Sequence, residues 1–167
     1  MSQQRSSTSL YLDDLTVGQR FSSTSLTVTA HAIEAFAREF DPQPFHLSED
    51  AAKSTFFAGL AASGWHTAAL TMRLNVDSGL PIADGIIGAG GEITWPTPLR
   101  AGDTIHVENE IVAVTPSRSR PDRGIVTVVG RTLNQHGVAV QVTTMKLLVF
   151  RKDAVARGEN PTIRKTA

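Results

Sequence analysis

The stretch Thr104-Ile105-His106-Val107-Glu108-Asn109-Glu110-Ile111 decides the fold. Ile105, Val107 and Ile111 fall on one side and His106, Glu108 and Glu110 on the other, the two-residue period of a half-buried strand. Three more strands flank it. Ile86–Trp95 precedes it, and Ile125–Leu133 and Val138–Phe150 follow, both rich in β-branched residues. Asn134-Gln135-His136-Gly137 reads as a hairpin turn between the last two, and Thr115–Gly124 as a connecting loop. Long consecutive strands imply an antiparallel sheet. Gly85, Gly88, Gly90 and Gly91 lead into the first of them; they do not open a helix and form no dinucleotide fingerprint, so they read as a flexible loop or bulge.

Upstream the period changes. Arg20–Val28 reads as a strand. With Thr29 as N-cap, Ile33, Phe36, Ala37 and Phe40 then make one helical face. Pro42 and Pro44 stop that helix, which leaves Asp41–His46 as an irregular, stiff loop. Ser48 caps a short helix with Glu49 and Asp50 in its first turn. From Gly64 to Val76 a longer helix carries the stripe Trp65, Ala68, Ala69, Met72 and Val76, expected to pack on the sheet. The 167 residues suit one α+β domain over 10–152, with a disordered polar leader at 1–9 and a polar tail at 153–167.

Composition narrows the chemistry. Sixteen basic residues balance sixteen acidic ones, which argues against nucleic acid as a partner. The absence of cysteine removes disulfides, thiolate nucleophiles and thiolate metal sites. The histidines show no metal-ligand spacing. No apolar run is long enough to span a bilayer, and no secretory signal is visible, so a soluble cytoplasmic protein is expected.

Two features could carry catalysis. Asp41 and His46 flank the prolyl turn, and a carboxylate with an imidazole can deprotonate water and deliver a proton. Taken alone, they read instead as a helix-terminal Asp and a surface His beside two turn prolines. Ala61-Ala62-Ser63-Gly64-Trp65-His66 opens the long helix, where unpaired N–H groups and the dipole favour an oxyanion; the Gly64 N–H is the candidate donor. Its plainer role is to let the helix start tightly. His66 is expected to be packed or partner-facing, and Trp95 to be core or tunnel lining. Arg118, Arg120 and Arg123 form one basic cluster, either a solvated loop or a contact for phosphate groups.

Together, Asp41-x-x-Pro44-x-His46, Phe56-Phe57-Ala58-Gly59-Leu60-Ala61-Ala62-Ser63-Gly64 and Trp95-Pro96-Thr97-Pro98-Leu99-Arg100-Ala101-Gly102-Asp103-Thr104 resemble the MaoC-like (R)-specific enoyl-CoA hydratases and dehydratases, over about Leu12 to Phe150. The resemblance implies a hot-dog fold, a curved antiparallel sheet around a central helix, paired as a homodimer. It implies reversible hydration of an enoyl-CoA, with Asp41 and His46 acting on water and Gly64 as oxyanion donor. Pro44, Phe45, Ser63 and Trp65 are then expected to border the substrate. No cofactor or metal is implied, because coenzyme A belongs to the substrate. Ser63 stands where the family commonly has His, and Gln43 where it often has Asn. Some relatives orient the carboxylate with a helix hydroxyl, for which Thr67 and Thr71 are candidates. A thioesterase on the same fold and a non-catalytic acyl-thioester binding subunit are the alternatives.

Overall fold

The computed structural model describes residues 9–156. The expected leader falls almost wholly outside this range. Of the expected tail, residues 153–156 lie in the short helix α5 (Lys152–Ala156) and the rest falls outside.

The strand alternation produces one six-stranded antiparallel sheet. Its strands are β1 (Arg20–Ser22), β2 (Leu26–Thr27), β3 (Ile87–Thr94), β4 (Thr104–Pro116), β5 (Arg123–Leu133) and β6 (Ala139–Phe150), ordered β1-β4-β5-β6-β3, with β2 also on β4. The expected single strand over 20–28 is broken in two. At the break the Ser23 hydroxyl accepts the Val107 N–H at 2.8 Å, replacing a ladder bond with a side-chain bond. The β5–β6 hairpin closes as expected: Asn134 Oδ1 accepts from the backbone of His136 and Val138, and Gly137 takes φ +73°. The glycine run becomes edge strand β3 with a bulge between Gly88 and Gly90.

Helix α1 (Ala30–Phe40) is capped by Thr29 Oγ1 on the Ala32 N–H, and it buries Ile33 and Ala37 while Phe40 stays exposed. The prolyl segment is more regular than its composition suggested. Pro44–Leu47 forms one helical turn, α2, with Pro44 at its first position, where a missing N–H costs nothing. Ser48 caps α3 (Glu49–Ala52) through the Ala51 N–H.

Helix α4 (Gly64–Leu74) lies across the concave face and ends in a wider π-type turn, Asn75–Gly79. It meets the sheet with the opposite face to the one expected. His66, Thr67, Thr71 and Leu74 are buried, whereas Trp65 (63% exposed), Met72 and Val76 point outward. The reason is hydrogen bonding. Thr67 Oγ1 donates to Ser63 O, and Thr71 Oγ1 pairs with Thr132 Oγ1 of β5 at 2.7 Å, so small hydroxyl residues approach the sheet closely without orphaned polar atoms. The core divides between a cluster around Ile111, Val126 and Leu147 and one around Ile33, Leu99 and Ile105. This curved sheet around one helix is the hot-dog arrangement.

Candidate active site

Asp41 is the C-cap of α1, and His46 lies in the last turn of α2. The single turn between them returns the imidazole to the carboxylate, with His46 Nε2 3.5 Å from Asp41 Oδ2. His46 is 4% exposed, so the surface histidine of the plainer reading is excluded.

Each group is held from behind. His46 Nδ1 is 2.7 Å from Ala61 O. A carbonyl only accepts, so Nδ1 carries the proton and, in the neutral ring, Nε2 presents its lone pair toward Asp41. Phe45 packs edge-on against the imidazole at 4.5 Å between centroids, and Phe57 lies 5.9 Å away. Asp41 Oδ2 accepts from Ser63 Oγ at 2.6 Å, and Oδ1 accepts from Gln43 Nε2 at 2.7 Å. Partial burial pushes the Asp41 carboxyl up, but the bonds from Ser63 and Gln43 and the nearby imidazole outweigh it and hold it below the ordinary carboxylate range. Asp41 is therefore an anion at neutral pH, with lone pairs still free on both oxygens. A water bonded to both groups at about 2.8 Å fits beside the 3.5 Å gap, not within it.

Ser63 joins this pair to the helix start. Its hydroxyl accepts the Trp65 N–H at 3.2 Å while donating to Asp41, so it is both N-cap of α4 and the orienting hydroxyl of the carboxylate. Thr67 and Thr71, the two expected candidates, are engaged elsewhere, as described above. The signal for Ser63 was available, since Ser directly before a helix glycine is a capping signature and a capping hydroxyl still has a proton to donate.

Gly64 follows, as the first residue of α4. Its N–H has no acceptor among the described residues, as the geometry of a helix start requires. Its missing side chain also has a packing consequence: a Cβ there would sit 2.8 Å from the indole carbons of Trp95. The oxyanion role and the tight-packing role are thus compatible. Trp95 is anchored through Nε1 to Oε1 of the buried Gln141 at 2.9 Å and meets Trp65 edge-on. Trp95 is 41% exposed, so it borders the opening and is not core.

The remaining candidates sit apart. Pro44 is exposed and begins α2. His66 is packed, stacked on Phe36 at 4.7 Å; burial pushes its imidazole below the ordinary range, and its Nδ1 finds no partner. His31 and His136 are exposed, and no cluster of metal-ligating side chains occurs among the described residues. Arg118 and Arg120 lie in the loop that follows β4, and Arg123 opens β5. Within one chain Arg118 and Arg120 are solvated, whereas the Arg123 side chain is largely buried, bound to Asp122 and set over the Phe150 ring at 4.8 Å.

Comparison with known proteins gives a consistent set of relatives. The family model described as "MaoC like domain" matches residues 14–132. The chain is 35% identical over 141 residues to the "Uncharacterized protein YdeM" of Bacillus subtilis, covering 84% of this chain and 99% of that one. It is 27% identical over 139 residues to an (R)-specific enoyl-CoA hydratase of Rhodospirillum rubrum, covering 79% and 91%. Among solved structures, a MaoC-like dehydratase from Rhodospirillum rubrum superimposes with TM-score 0.85 at 63% identity, covering 86% of this chain and 98% of that one. An R-hydratase from Pseudomonas aeruginosa, unliganded, gives TM-score 0.70 at 25% identity, covering 86% and 88%.

Proposed function

This chain belongs to the MaoC-like family, and from that premise we propose that it adds water reversibly to an enoyl-CoA, giving a 3-hydroxyacyl-CoA. The observation that carries the proposal is the convergence of three groups: a hydrogen-bonded carboxylate, an imidazole of fixed tautomer 3.5 Å away, and the N–H of Gly64, without an acceptor among the described residues, next to the Ser63 that bonds the carboxylate.

In this reading the water sits beside the pair. Asp41, held as the anion, orients it by accepting one hydrogen. His46 Nε2 takes the other proton as the water oxygen attacks the β-carbon. Negative charge moves to the thioester oxygen, which the Gly64 N–H stabilises together with the positive end of α4. The proton on Nε2 then passes to the α-carbon, so one hydroxyl and one proton are added and the imidazole returns to its starting state. Phe45 and Phe57 shield the ring from solvent, and Trp65 and Trp95 border the acyl group.

We assign self-association to the same surface. Trp65, Met72 and Val76 form an outward apolar stripe on α4, and edge strand β3 is exposed along nearly its whole length. An unpaired sheet edge and an outward apolar stripe each suit a second copy of the chain.

A panel of enoyl-CoA esters tests the function, followed by loss of the conjugated-thioester absorbance. Hydration is expected for at least one ester, with no free thiol from the matching saturated acyl-CoA. Thiol release without hydration would mean a thioesterase. Ligand-dependent thermal stabilisation with neither reaction would mean a binding subunit.

A further inference from the structure

The Leu99–Asp103 segment has no part in the chemistry above, yet it holds a half-buried guanidinium with an uncommon set of partners. Arg100 Nη1 donates to Gly59 O at 2.7 Å and to Leu60 O at 3.1 Å, and Nη2 donates to Phe57 O at 2.5 Å. All three acceptors are backbone carbonyls, and no carboxylate pairs with the guanidinium among the described residues. Arg100 is itself fixed, because its backbone N–H donates to Asp103 Oδ2 at 2.8 Å. From the other side, Glu49 Oε2 accepts the Leu60 N–H at 2.8 Å. A short segment is thus gripped by a cation on its carbonyls and an anion on an amide.

That segment is strained. Ala58 has φ +51° and Gly59 φ +152°. A left-handed non-glycine residue is disfavoured because its Cβ crowds the following carbonyl, and such conformations persist where surrounding contacts over-determine them. The segment leads directly into Ala61, whose carbonyl accepts the His46 Nδ1–H and whose own N–H donates to Phe45 O at 3.1 Å. Phe57, at its start, packs against Phe45 at 4.9 Å. Every group that orients the imidazole from behind is therefore part of this segment or in contact with it.

We propose that Arg100 is a positioning residue: by holding the carbonyls of Phe57, Gly59 and Leu60 it fixes Ala61 O, and with it the tautomer and aim of the His46 ring. The kinetic part rests on the reading of His46 as the proton carrier; the tautomer part stands independently of any substrate. Arginine suits the task because its planar fork reaches several carbonyls at fixed angles, which a lysine ammonium cannot do.

The test is nitrogen NMR of the imidazoles in ¹⁵N-histidine-labelled full-length protein, for Arg100→Gln and Arg100→Lys, with thermal unfolding to verify the fold. Wild type is expected to show neutral His46 protonated on Nδ1 alone. The variants are expected to show a mixture of tautomers, a kcat on enoyl-CoA lower by about ten- to a hundredfold, and an unchanged KM. Added guanidinium should recover part of the loss in Arg100→Gln. Where Arg100→Gln does not fold, Arg100→Lys carries the same readout. A single Nδ1–H tautomer in a folded Arg100 variant would overturn the proposal, whatever the turnover. Altered tautomers in a protein that hydrates no enoyl-CoA would uphold the positioning of the ring and reject the hydratase reading instead.

Discussion

Replacing Ser63 with alanine removes one hydroxyl that performs two functions, and the two separate by pH. As N-cap of α4 the hydroxyl accepts the Trp65 N–H, and losing a serine cap costs about 1 kcal/mol. As donor it makes the 2.6 Å bond to Asp41 Oδ2, and a bond to a charged, partly buried acceptor contributes about 1.5–3 kcal/mol. Near neutral pH the combined loss is about 2–4 kcal/mol, which lowers the melting temperature by on the order of 5–15 °C for a chain of this size. The Asp41 carboxyl is held below its ordinary range in the folded protein. A group depressed in this way stabilises the fold above its unfolded pKa, and that stability is lost as pH falls through the folded pKa. Ser63→Ala removes part of the depression, so the gap between wild type and variant should be widest at neutral pH. It should shrink in acid toward the cap contribution alone. Urea unfolding of both proteins across the acid range measures this gap. A gap independent of pH would show that Ser63 acts on the helix only and leaves the carboxylate untouched.

Asp41→Asn and His46→Ala should each lower turnover of a responsive enoyl-CoA by about 10² or more, with the folds intact by circular dichroism. Gly64→Ala places a methyl 2.8 Å from the Trp95 ring and should destabilise by about 1–3 kcal/mol in chemical denaturation; Trp95→Ala in the same chain should relieve part of that cost. Met72→Glu puts a charge in the middle of the outward stripe and should shift the chain from dimer to monomer in light scattering after size exclusion, whereas a retained dimer would move the interface elsewhere.

The sheet was legible because its strands announce themselves by a two-residue period and its hairpin by Asn134 and Gly137. The α4 face was not. Trp65, Met72 and Val76 are the larger apolar residues and suggested the buried side, but Thr67 and Thr71 take it because their hydroxyls find partners in Ser63 O and Thr132. Periodicity reports that a helix has an apolar stripe, not whether its own sheet or another surface covers it. In the site, Asp41, His46 and Gly64 become candidates through the motifs that resemble the MaoC-like family, since residue type and spacing alone leave the plainer readings in place. No motif marks their supporting contacts, since Ala61 O and the Arg100 carbonyl set depend on backbone positions brought together by the fold. The prolyl segment shows the same limit: two prolines suggested irregularity, but Pro44 is placed where proline begins a helical turn.

The central claim is that Asp41 and His46 together add water across a double bond. Incubation of the protein with its best enoyl-CoA in deuterium oxide, with mass and NMR analysis of the thioester, addresses it most directly. The expected product is a 3-hydroxyacyl-CoA bearing one non-exchangeable deuterium at the α-carbon, formed by wild type and lost in Asp41→Asn/His46→Ala. An unaltered enoyl-CoA across a broad panel, or the same labelled product at undiminished rate from the double variant, would contradict the account.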